Sequence, residues 1–311
     1  MERMQTSLPP IHPGRWQFRL VMLAMVWGSS FLFIKVALTD LTPTQIAFAR
    51  CGLGTLAVVP AIIVARSPFP RTPRLWAHLF VAALVLNTAP FLLFSYAELH
   101  ISSAVAGVAN GAAPLFTVLF ALLALRDERP TLRTAAGLVV GLLGVSVVLR
   151  VWDGIQADTA GITMAVAAAA CYGLGWVYIR RFVHDSGCSP LVLTTCQLAL
   201  ATVQLLAVCI ATSPSFPAMA PDTLAATLAL GGLGTGAAYV LQHSIIRDAG
   251  ATAASTVTYL IPVFAVLAGA AFLHEPLAWN LVAGAVLVIL GAGLIRHRQP
   301  TRPANTVPVR V

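Results

Sequence analysis

Charge is what this chain has least of. Only 10% of its 311 residues are Asp, Glu, Lys or Arg, where a soluble domain carries about 25%. With 58% hydrophobic residues, a soluble protein would lack the polar surface to stay in solution. Acids are scarcer than bases, 11 against 19, and none falls in the middle of an apolar run. That weakens a scheme carrying protons on a midmembrane carboxylate, and it excludes a pair of acids at depth. There is no CxxC. Of five cysteines, Cys51, Cys171, Cys196 and Cys209 sit inside apolar runs, so they read as packing residues and argue against a disulfide framework or a metal site. No GxxxxGK, HExxH or GxSxG occurs, which excludes direct ATP use by this chain and disfavours an intramembrane hydrolase. No cofactor is implied. A short cleavable leader is missing too: the first apolar run is long and reads as an uncleaved span.

What is present is a series of apolar runs. A spanning helix needs about 20 apolar residues, and ten segments fit: 18–38, 44–65, 75–97, 102–125, 133–150, 161–179, 190–211, 223–245, 251–273 and 278–295. The expectation is an all-α polytopic membrane protein. Residues 1–17 form an N-terminal segment and residues 296–311 a disordered tail. The net charge of +8 invites a nucleic-acid reading, but the bases stand singly or in small groups between apolar runs, as topology requires. With both termini placed in the cytoplasm of an inner or plasma membrane protein, Arg150 alone falls outside. Lys35 and Arg50 lie within spans, and every other arginine falls inside. Ten spans satisfy this bias.

The second half repeats the first. Placing Pro114 on Pro262 sets Ile101–Pro114 against Ala249–Pro262. At the front of the repeat, in a register three residues shorter, Gly28 matches Gly173 and Lys35 matches Arg180. After one residue is dropped, Glu128, Gly137 and Gly144 fall on Glu275, Gly284 and Gly291. The units are 18–150 and 161–295. Five spans per unit reverse the second relative to the first, so the repeats are inverted.

These features resemble the drug/metabolite transporter (DMT) superfamily, in particular its EamA-type members. The residues that carry the resemblance are Trp27-Gly28-Ser29-Ser30-Phe31 with Lys35, Phe48-Ala49-Arg50, the two segments from Pro114 to Glu128 and Pro262 to Glu275, and the glycine-spaced helices after each glutamate. The resemblance implies a secondary carrier of small metabolites working by alternating access, with export of amino acids or related compounds a frequent role. The second half departs from the first in one respect: Arg50 aligns near Thr195, so only one half has the intramembrane arginine.

Polar groups inside a bilayer are costly and so become site candidates. Asn87 pairs by the repeat with Thr235, and Asn110 with Thr258. Pro114 has no N–H for the Asn110 carbonyl, nor Pro262 for that of Thr258. Both positions lie about eight residues into their helices, roughly 12 Å at 1.5 Å per residue, near the midplane. Tyr172, Tyr239 and Tyr259 would supply amphipathic walls, and Ser29 and Ser30 smaller contacts. The alternative for all of them is hydrogen bonding across helix interfaces. Lys35 either attracts an anionic group or couples to protons, or else snorkels to the outer surface. Arg50 keeps its proton and is expected to pair with Glu98 or cap an outer helix end. Glu98 reads as a solvated carboxylate. Glu128 and Glu275 read as helix-start residues, and His243 as an interfacial polar group or a proton relay.

The expected partners are the bilayer and a small polar metabolite such as an amino acid. Protons, another ion or the substrate's own gradient would supply the energy. Import, flipping of a lipid-linked substrate and a non-transporting scaffold or sensor are the alternatives.

Overall fold

The computed structural model describes residues 13–66, 68–124, 131–148, 159–213 and 215–295. Every regular element among them is helical. We number the helices α1 (Pro13–Ala37), α2 (Pro43–Ala65), α3 (Pro73–Ala97), α4 (Ser103–Ala124), α5 (Leu132–Val148), α6 (Thr159–Phe182), α7 (Pro190–Thr212), α8 (Pro221–Ala249), α9 (Ala251–Ala254, then Val257–Leu273) and α10 (Trp279–Ile295). Seven are long and apolar enough to cross a membrane; α5, the second part of α9 and α10 are shorter apolar helices. The protein is therefore an all-α, polytopic, integral membrane protein of two five-helix repeats. Among the described residues helix α1 is already helical at Pro13, five residues before the expected start of the first span. Glu128, Arg126, Arg129, Arg150, Asp153, Asp158 and both extreme tails lie outside the described residues.

Short connections make successive helices antiparallel. One bundle end, the near end, carries the start of α1. The far end carries the turns α1–α2, α3–α4, α7–α8 and α9–α10. The interfaces come in mated pairs: α1 packs on α9 as α6 packs on α4, and α2 on α8 as α7 on α3. Two aligned glycines allow the first pair. A Cβ on Gly28 would stand 2.6 Å from Phe264 Cβ, and one on Gly173 would stand 2.6 Å from Phe116 Cβ and from the Thr117 nitrogen. Small residues let helix backbones approach in this way where lipid supplies no hydrophobic drive.

Four of the inner helices are irregular. Residues Leu84–Thr88 of α3 and Ala229–Ala237 of α8 wind as π-turns, a feature often found at functional sites. In α3 the cause is Pro90, which leaves the Leu86 carbonyl without its donor. In α8 it is the run Gly231-Gly232-Leu233-Gly234-Thr235-Gly236, which resists a regular helix weakly. Helix α4 breaks at Gly111–Ala112, just before Pro114. Helix α9 breaks at Ser255–Thr256, and Pro262 lies inside its second part. Around this break Thr258 donates its hydroxyl to the Ser255 carbonyl at 2.5 Å and Thr256 donates to the Ala253 carbonyl.

Candidate functional site

A cavity of about 480 Å³ lies among α1, α2, α3, α4, α6, α8 and α9. Its lining includes Ser30, Phe31, Arg50, Phe91 and Phe94. It runs toward the near end through Tyr172 and Tyr239 to Trp176, Gln242, Ile246 and Ala254. A second recess, about 300 Å³ and lined by Thr72, His78 and Arg181, lies at the near end between α3 and α6 and has no part in the central cavity.

Arg50 is the cavity's one lining cation, and no Asp or Glu lines it among the described residues. The side chain is 9% exposed. Its Nε donates to Thr235 Oγ1 at 3.0 Å, and its guanidinium lies 3.9 Å from the centroid of the Phe91 ring, a cation–π geometry. The expected pairing with Glu98 is not present, because the α2 backbone aims Arg50 inward at the π-turn of α8. Thr235 in turn donates to the Leu230 carbonyl, five residues back. The π-turn therefore supplies the acceptor that positions the arginine.

The other candidates divide. Asn110, Ser30, Tyr172, Tyr239, Thr258 and Tyr259 line the cavity. Ser30 donates to the Val26 carbonyl of its own helix, and the Tyr259 hydroxyl donates to the Ala292 carbonyl of α10. Tyr172 stacks on Phe94 at 6.2 Å, and Tyr239 meets Trp27 edge-on at 6.1 Å. Asn87 is buried behind the wall rather than in it: its amide donates to the Tyr239 hydroxyl at 3.4 Å, and its Oδ1 has no partner. Thr235 is likewise buried beneath Arg50. Ser29 is not among the lining residues. His243 is also outside, sharing a hydrogen bond with Thr194 at 3.1 Å. Sequence reasoning missed Trp27, Phe91, Phe94, Trp176 and Gln242. The aromatics look like ordinary apolar positions in a run, and only the tertiary arrangement turns them inward.

The far end is closed by cross-links between helices. Lys35 Nζ donates to the carbonyls of Glu98 (2.5 Å) and Ile101 (3.1 Å). It therefore caps the α3–α4 turn, where carbonyls favour a cation, rather than snorkelling. Thr39 and Thr223 share a hydrogen bond at 3.0 Å, and Asp40 accepts from the Ala220 N–H at 2.8 Å. That amide and the Thr223 hydroxyl hold the Asp40 carboxyl below its ordinary value. Glu275, expected to start its own helix, instead accepts the Ser103 and Ala104 N–H groups at 2.8 and 3.0 Å. It caps α4, because those amides are unpaired at a helix start. Glu98 is no solvated carboxylate: it is 0% exposed. Phe31 and Phe94, in edge contact at 5.3 Å, both line the cavity.

The comparisons with known proteins agree with this architecture. The model of the EamA-like transporter family matches twice, over residues 15–150 and 159–296. An uncharacterized transporter of Archaeoglobus fulgidus is 26% identical over 90% of this chain and 98% of its own length. A probable terminal-alkyne amino-acid exporter of Streptantibioticus cattleyicolor is 29% identical over 90% of this chain and 92% of its own. A solved structure superposes with a TM-score of 0.65 at 19% identity, covering 90% of this chain and 95% of that one, which is a likeness of fold.

Proposed function

Because the chain belongs to the EamA-like transporter family, we propose that it exports small carboxylate-bearing metabolites, amino acids foremost, by alternating access around the Arg50 cavity. The protein is a transporter and not an enzyme. Arg50 is the observation that carries the substrate class. Arginine does not lose its proton in proteins, so the cavity carries a fixed positive charge with no acid among its described lining residues. A carboxylate neutralises that charge and accepts its remaining N–H groups in the bidentate geometry that suits arginine.

The other lining groups fit the rest of such a molecule. Asn110, Tyr172 and Tyr239 offer hydrogen bonds, and Trp27 and Trp176 offer aromatic faces for an apolar side chain or an ammonium group. Asn87 acts through Tyr239, and Thr235 through Arg50. Thr258 and Tyr259 lie at the broken start of α9. The volume suits a small metabolite. The relative named a probable amino-acid exporter supports the same class. The arginine bias supports cytoplasmic termini in an inner or plasma membrane. On that placement the cavity faces the cytoplasm, the side from which an exporter loads.

The test is counterflow in proteoliposomes with labelled amino acids, other small carboxylates, and amines made by removing the carboxyl group. Saturable exchange of carboxylates, absent for the amines and strongly weakened in Arg50→Ala, is expected. Exchange of the amines alone, or of lipid-linked compounds alone, would overturn the reading.

A further inference from the structure

The far-end seal contains a group that the cavity does not use. Glu98 is fully buried, and neither carboxylate oxygen has a hydrogen-bond partner. Ser103 Oγ beside the same α3–α4 turn is also buried and unpartnered. The charged groups facing Glu98 are Lys35 of α1, Arg50 of α2 and Glu275 from the α9–α10 connection. None neutralises it. Lys35 donates to main-chain carbonyls, one of them that of Glu98 itself. Arg50 is held on Thr235 and Phe91. Glu275 is an acid, bound to the amides of Ser103 and Ala104 and packed so closely on Gly269 that a Cβ there would collide with it.

An ionised carboxylate without partners is expensive to bury, and the neutral acid is much less so. We propose that Glu98 is a proton-operated latch: it holds a proton while the far end is sealed and gives it up to that side when the seal opens. On opening, the carboxyl O–H bond breaks, the electron pair stays on Glu98 and the proton passes to water. On closure the same proton site is refilled before the residue is buried again. What passes through the open state rests on the carrier reading above; the latch itself does not.

The sign follows from linkage. Burial, the largest influence, and the neighbouring Glu275 push the Glu98 carboxyl well above its ordinary value, against the opposing pull of Lys35 and Arg50. An acid whose affinity for protons is higher in the sealed state favours sealing at low pH. That preference is lost as pH rises from the group's ordinary value through its raised one. Each pH unit in that window changes the sealed-to-open ratio up to about tenfold. Asp40, whose carboxyl is held low by Ala220 and Thr223, acts oppositely: its cross-link weakens only as pH falls.

Spin labels at Leu99 and Ala218, both exposed, in a background with the native cysteines replaced, straddle the seal between the α3–α4 turn and the α7–α8 connection. Their distance distribution is measured in nanodiscs at about pH 5 and about pH 9, a span that brackets documented buried glutamates. The expected result is a single short distance at the lower pH and a growing longer population at the higher. In Glu98→Gln, which mimics the protonated acid, the short distance persists at both. An unchanged distribution in the parent protein, or a pH shift that survives Glu98→Gln, overturns the latch. Should that variant fail to assemble, a pH-difference infrared spectrum of the parent gives the same test. A protonated-carboxyl band must vanish over the range in which the longer distance appears, and its absence overturns the proposal. A pH-dependent seal with no transported carboxylate would sink the carrier reading and leave the latch standing.

Discussion

The two repeats share a frame but not a chemistry. In the first, α2 carries Arg50, α3 carries Asn87 and Glu98, and α4 carries Asn110. The second has Thr195 near the first position, Thr235 opposite Asn87, Ile246 opposite Glu98 and Thr258 opposite Asn110. Both third helices wind into a π-turn, and each is met by a long polar side chain from its mated neighbour. In α3 that is Gln204 of α7, which donates to the Phe80 carbonyl at 3.0 Å and accepts from Thr88 at 2.6 Å. In α8 it is Arg50 of α2, on Thr235. One device thus serves two ends: Gln204 satisfies the main chain toward the surface, and Arg50 places a charge in the cavity. The helix frame is shared by the two halves, and the polar side chains it carries are not.

The frame is where substitution should do most damage. Gly173→Leu drives a side chain into the backbone at Thr117, and Gly28→Leu does the same at Phe264 and Ala265. Overpacking costs about 1–3 kcal/mol even where neighbours yield, and main chain yields little. Both variants should lose monodisperse protein on size exclusion, and to a similar degree if the repeats are mechanically equivalent. A tolerated leucine at one position alone would break that equivalence.

The chemistry should be lopsided. Arg50→Ala should weaken substrate binding by about 2–4 kcal/mol, roughly 30- to 1000-fold in KM, while Gln204→Ala leaves KM unchanged; Arg50→Lys should recover part of the loss. Thr235→Val removes the acceptor that aims Arg50. One hydrogen bond to a charged group is worth about 1.5–3 kcal/mol, so a KM increase of about tenfold or more is expected with little change in the folded yield. Asn87→Ala acts one step further back, through a 3.4 Å bond to Tyr239, and should raise KM only about two- to fivefold, on the order of 0.5–1 kcal/mol. Binding measured by calorimetry on the purified variants fixes the order; equal effects at Asn87 and Arg50 would contradict the arrangement.

The bundle was legible in the sequence for a physical reason. In lipid every backbone polar group must be satisfied within a helix, so long apolar runs have few alternatives, and the glycines that align between halves mark the close crossings. The cavity lining was legible only where chemistry is costly: Asn110 and Tyr239 stand out as polar groups in apolar runs and both line it, whereas Arg50 stands out as a charge without its place in the lining being legible. Direction was not legible. Arg50 was expected to turn toward Glu98, because neither the π-turn of α8 nor Thr235 as its partner can be read from one helix. Glu98 was misjudged for the same reason. At the end of an apolar run a carboxylate reads as solvated, and it is the α3–α4 turn, pinned by Lys35 and Glu275, that buries it. Glu275 itself precedes one helix and caps another, which no local pattern distinguishes.

The breaks in α4 and α9 do not fall at equivalent places: Gly111–Ala112 in one and Ser255–Thr256 in the other, a full helical turn apart once the repeats are aligned. Exchanging the roles of the two halves therefore cannot recreate the same binding chamber seen from the opposite side. The carrier should saturate at different substrate concentrations depending on the face from which it is loaded. Detailed balance still requires that the ratio of maximal rate to half-saturating concentration be equal in both directions at zero gradient. A lower affinity at one face would then accompany a proportionally faster passage from it, a kinetic bias that would trace to the spacing of the two helix breaks.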